Sequence, residues 1–134
     1  MPFFKGEKMG IKIITNNLKV KNKYSDQYEV EYIDTDYMGI LYKARDMIHL
    51  GHEMYTHPLS SSIKPNETPY KSIIMSDKAE GLKFESLQAI ESGIHTAEKF
   101  QRDFKTPDWT ERVKEDFREI DCSIIANALN IRKW

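Results

Sequence analysis

At 134 residues, with charged residues at 31% and a formal net charge of −1, the chain is the size of one domain with a single core. It offers no basic footprint for nucleic acid or an anionic membrane surface. No apolar run approaches a membrane span, the start from Met1 to Glu7 lacks a signal-peptide core, and the single cysteine, Cys122, allows no internal disulfide, so a cytoplasmic protein is expected.

Residues 1–8 match no period and are expected to be a loosely held extension, with one α/β domain over 9–134. Ile11-Lys12-Ile13-Ile14 is short and β-branched and stops at Thr15-Asn16-Asn17, the signature of a buried first strand ending in a turn. Asn17 then caps a short helix from Leu18 to Tyr24. Tyr28 to Ile33 alternates apolar and polar as a second, half-covered or edge strand does. Asp34-Thr35-Asp36 supplies an N-cap, and Tyr37, Ile40, Leu41, Ala44, Met47 and Ile48 recur at helical spacing until Gly51. Glu53 to Thr56 reads as a third strand and Lys71 to Ser76 as a fourth.

Two helices close the chain. The first runs from about Phe84 to Phe104, with Gly93 beside its apolar stripe able to let a neighbouring backbone approach closely. In the second, Trp109, Val113, Phe117, Ile120, Ile124 and Ala128 share one face, while Cys122, Ile125 and Leu129 lie opposite. A helix apolar on both sides is either sandwiched within the fold or meets a second copy, which makes Cys122, Ile125 and Leu129 the candidates for a homodimer interface. Strands alternating with helices predict a layered α/β fold: a small four-stranded sheet, mostly parallel or mixed, with flanking helices and two C-terminal helices. The link between the third and fourth strands carries no helix, so the fourth can run antiparallel.

The stretch from His57 to Ser72 holds three prolines, four serines and a threonine, which forbid a regular helix and supply polar groups for holding something. Ligands of open α/β sheets lie beyond the carboxyl ends of strands, so Thr15, Asn16, Asn17 and Asp34 join His57, Ser60, Ser61, Ser62, Lys64 and Asn66 as ligand-binding candidates. The backbone of Ser60 to Ser62 with the Lys64 ammonium can cradle a phosphate or carboxylate; such residues as readily satisfy their own backbone through local turns. Gly-rich nucleotide loops, a nucleophile elbow and a His-Glu-x-x-His zinc pattern are missing, so no cofactor is called for. His49 and His52, with His57 nearby, are the nearest approach to a metal cluster, but Gly51 breaks the helix between the first two, and no metal is expected.

Ile13-Ile14-Thr15-Asn16-Asn17, Gly51-His52, the run from Thr56 to Ser72, and Ile90-Glu91-Ser92 ahead of Ala97 together resemble the GrdX family, small proteins encoded beside glycine reductase in amino-acid-fermenting anaerobes. The resemblance spans most of the chain after Met9; Leu18 departs from the proline of the family pattern after the two asparagines. It carries over no catalytic residues. It implies a cytoplasmic accessory to a selenium-dependent pathway whose product is acetyl phosphate. Two functions follow as expectations: an accessory protein whose 57–72 loop recognises a glycine reductase component or a small anionic ligand, or a small enzyme acting on a phosphorylated or carboxylated metabolite, with His57 or Asp34 moving a proton.

Overall fold

The computed structural model describes residues 10–132 and 134, so the expected extension over 1–8 lies outside the described residues. The elements run β1 (Ile11–Thr15), α1 (Leu18–Tyr24), β2 (Glu29–Tyr32), α2 (Tyr37–His49), β3 (Ser72–Ser76), α3 (Phe84–Asp103) and α4 (Glu111–Asn130). The sheet is open and three-stranded in the order β2-β1-β3, with β1 parallel to β2 and antiparallel to β3.

Strand alternation sorts the central β-branched residues onto two faces. Ile11, Ile13 and Ile74 meet Val20 and Tyr24 of α1 and Cys122 and Ile125 of α4. Ile14, Ile73 and Met75 meet Ile40, Leu41 and Ala44 of α2 and Ile90, Ile94 and Ala97 of α3. The result is helices on both faces of one small sheet, each buried isoleucine contributing on the order of 2 kcal/mol by removal from water. Among the described residues no helix is long and apolar enough to cross a membrane.

Local signals set the element ends. Asp36 accepts from the Gly39 amide at 2.9 Å to begin α2, and Gly51, at φ +110°, turns the chain out of it, a conformation that side chains with a Cβ resist. The chain then returns along residues 57–71 and enters β3 from the carboxyl end of β1, pairing Ser72 with Thr15. That return makes β3 antiparallel and the sheet mixed.

Two expectations are corrected. The third strand expected over Glu53 to Thr56 does not form: the stretch makes an isolated antiparallel bridge, Met54 with Met75, and the sheet has three strands where four were expected. Beside that bridge, side chains replace backbone partners, the Thr56 Oγ1 accepting from Ile74 N at 3.0 Å and the Ser76 Oγ from Glu53 N at 2.8 Å. His57-Pro58 stops any extension, since proline cannot donate to a ladder. The dimer stripe is also displaced, because Cys122 and Ile125 are buried against the chain's own sheet, with Leu129 packed on the same cluster. The other apolar face of α4, at Phe117, Ile120 and Ile124, lines a narrow cleft shared with Ile63 and Tyr70 of the 57–72 segment, with Ile120 exposed.

Candidate functional site

Asn16, just past the end of β1, joins three parts of the molecule with one side chain. Its Oδ1 accepts from the Lys71 amide at 2.9 Å, and its Nδ2 donates to the carbonyls of Thr35 at 2.8 Å and Pro69 at 2.9 Å. The carboxyl tips of β1 and β2 and the end of the proline-rich segment are thereby held at one edge of the sheet. They border an open cleft of about 740 Å³ whose walls include Asn16, Asp34, Asp36, Tyr70 and Lys105.

Thr15 and Asn17 turn inward instead. Ser72 Oγ donates to Asp121 Oδ2 at 2.7 Å; with its only proton used there, it must accept from Thr15 Oγ1 at 2.6 Å. Asn17 caps α1 through Lys19 N at 3.0 Å and gives its Nδ2 to the Arg118 carbonyl and to Asp121, each at 3.0 Å. Burial pushes the Asp121 carboxyl up, against the hydrogen bonds from Ser72 and Asn17 that favour its charged form.

Beside this network lies Lys71, only 3% exposed. Its ammonium stands 5.8 Å from the centre of the Tyr37 ring. Burial lowers Lys71 to about 8, with the charge of Asp121 acting in the opposite sense; burial and Asp121 together raise the Tyr37 phenol. Perturbed groups of this kind cluster at functional sites. Tyr70 lines the same narrow cleft as these groups, and its phenol oxygen takes a 2.5 Å hydrogen bond from Arg118 Nη1. Arg118 is anchored in turn by Glu111 and by Glu115, the latter at 2.9 Å.

The 57–72 segment is fixed along its length. Pro58 rests on Gly93 of α3, where a Cβ would come within 2.7 Å of the Pro58 Cγ. Gln101 Nε2 donates to the Pro65 carbonyl at 3.1 Å, Asn66 Nδ2 to Phe104 O at 2.9 Å, and Trp109 Nε1 to Glu67 O at 2.7 Å. Among the described residues the buried Asn66 Oδ1 has no hydrogen-bond partner. Internal turns use several of the groups proposed for an anion: Ser60 N donates to His57 O, Ser61 N to Leu59 O, Ile63 N to Ser61 Oγ and Lys64 N to Glu67 Oε1. Ser61, Ser62 and Lys64 are exposed on the outer edge.

Five of the ten ligand-binding candidates fall in three separate clefts. Asn16 and Asp34 share the 740 Å³ cleft. His57 and Ser60 line another, of about 330 Å³, with Tyr55, Ile124, Arg132 and Trp134. Ser61 borders a narrow cleft with Lys71 and Asp121. Among the described residues no three His, Cys, Asp or Glu side chains converge as a metal site; His52 Nδ1 lies 2.9 Å from the Ser76 carbonyl oxygen. Lys71, Asp121, Tyr37 and Ser72 were not among the sequence candidates. One signal was present, Asp121 lying about one helical turn from the apolar Phe117 and from the apolar Ile125.

Compared with known proteins, residues 12–130 match the family model described as GrdX-like protein. No curated protein and no solved structure matches the chain.

Proposed function

With the chain belonging to the GrdX-like protein family, we propose that it is a non-catalytic accessory protein of the glycine reductase system, which recognises a component of that system or a small anionic ligand through the 57–72 segment. The observation that supports this reading is the division of labour within the segment. Its inward groups are spent on Gly93, Gln101, Phe104, Trp109 and Asn16, while Ser61, Ser62 and Lys64 stay exposed. A surface ordered before its partner arrives loses less entropy on binding.

The enzyme reading is favoured by a different observation, the buried Lys71 amine beside Asp121, groups of the kind that move protons. A thermal shift series with phosphate, acetyl phosphate and glycine, run beside affinity capture of glycine reductase subunits, tests the two. A ligand bound only by the folded form raises its midpoint. Capture of a subunit, or a midpoint rise with an anion that Lys64→Ala abolishes, is the expected outcome; turnover of acetyl phosphate that Lys71→Met abolishes would replace the accessory reading with the enzyme one. Failure of both capture and shift would remove the accessory reading.

A further inference from the structure

Lys71 presents three N–H donors from inside the fold. Among the described residues its ammonium meets no hydrogen-bond acceptor and no carboxylate at ion-pair distance, only the face of Tyr37. The side chain is largely buried, but its ammonium is not among the sealed, unpartnered polar atoms of the described residues, which are represented by Asn66 Oδ1; it opens on the cleft, where an acceptor entering from solvent can reach it. The Lys71 side chain borders the narrow cleft between the 57–72 segment and α4, where Asp121 and Tyr70 are further polar walls and the open space is about 10 Å³, room for one water-sized atom. Other walls of the cleft are Ile63 of the segment and Ile120 and Ile124 of α4, and Ile120 is 41% exposed.

We propose that this cleft binds a short-chain monocarboxylate, one carboxylate oxygen taking the enclosed space beside the Lys71 ammonium and the hydrocarbon chain lying on Ile63, Ile120 and Ile124. A charged oxygen supplies the acceptor that Lys71 lacks. The isoleucine walls suit a methylene chain and disfavour a phosphate, whose oxygens would all need polar partners. Burial pushes the Asp121 carboxyl up, and hydrogen bonds from Ser72 and Asn17 engage its Oδ2, both of which lessen its repulsion of the incoming carboxylate. The inference rests on reading the segment as a binding element, but uses its inner wall, so the exposed Lys64 has no part in it.

Acetate, propionate and butyrate, added at neutral pH and constant ionic strength, should raise the thermal midpoint in that order, with binding strengthening about four-fold for each added methylene. The response should persist in Lys64→Ala and vanish in Lys71→Met. Should Lys71→Met fail to fold, the Lys71 ε-carbon resonance of the unaltered protein gives the same answer: saturating butyrate should move its titration to higher pH. No response to any of the three acids, a response retained in Lys71→Met, or a Lys71 titration indifferent to butyrate would each overturn the inference. Loss of the response in Lys64→Ala would overturn it too, while leaving the accessory reading standing, as would capture of a glycine reductase subunit without any response to the acids.

Discussion

Lys71 sets a measurable pH dependence. An ammonium held at about 8 in the folded chain, against 10.5 ordinarily, leaves the unfolded chain holding a proton that the folded chain lacks between those values. Stability should therefore rise with pH from about 8 to 10.5, by up to about 3 kcal/mol. Urea unfolding across that range should show the rise in the unaltered protein, and Lys71→Met should remove it; equal slopes in the two would mean that Lys71 is solvated. The residues around it were unequally legible. Thr15, Asn16 and Asn17 stand out as polar groups at a strand tip, yet at this scale a side chain that caps and one that binds look alike. Only the contacts separate Asn16, which ties the segment down, from Asn17, which holds Asp121. Lys71 and Asp121 could not be paired in advance, because the return of the chain along the 57–72 segment is what brings positions so distant in sequence together.

Among the elements, Gly93 carries the clearest test. The helix that contains it was legible from its apolar stripe; the close approach expected at the glycine was of a neighbouring backbone, and what meets it is the ring of Pro58. Gly93→Ala places a methyl within 2.7 Å of the Pro58 Cγ, and the gain in helix propensity, about 1 kcal/mol, works against that clash. The clash should win, lowering the thermal midpoint and hastening proteolysis between Leu59 and Lys64; a variant as stable and as resistant as the original would show that Pro58 moves freely. Caps made α2 readable, from Asp36 to Gly51. Periodicity failed at α4 for a physical reason: it reports how many faces are apolar, not which neighbour each face meets. One face of α4 is buried on the sheet, while the other lines a cleft beneath the segment with Ile120 left exposed. The four residues from Glu53 to Thr56 have strand-like composition, but side-chain acceptors on Thr56 and Ser76 take the amides that a longer ladder would use.

For the molecule as a whole, the parallel pairing of β1 and β2 and the antiparallel entry of β3 bring two strand tips and the end of the proline-rich segment to one edge. Any binding role of that segment depends on its being built before a partner arrives, with the Asn16 side chain as its anchor. Native-state hydrogen exchange of the Lys71 amide, which donates to Asn16 Oδ1, tests this most directly, since exchange there requires that anchor to open. The account predicts an amide exchanging orders of magnitude more slowly than in a free chain, with the protection falling sharply in Asn16→Ala. Exchange at the free-chain rate in the unaltered protein, or protection unchanged by Asn16→Ala, would contradict it.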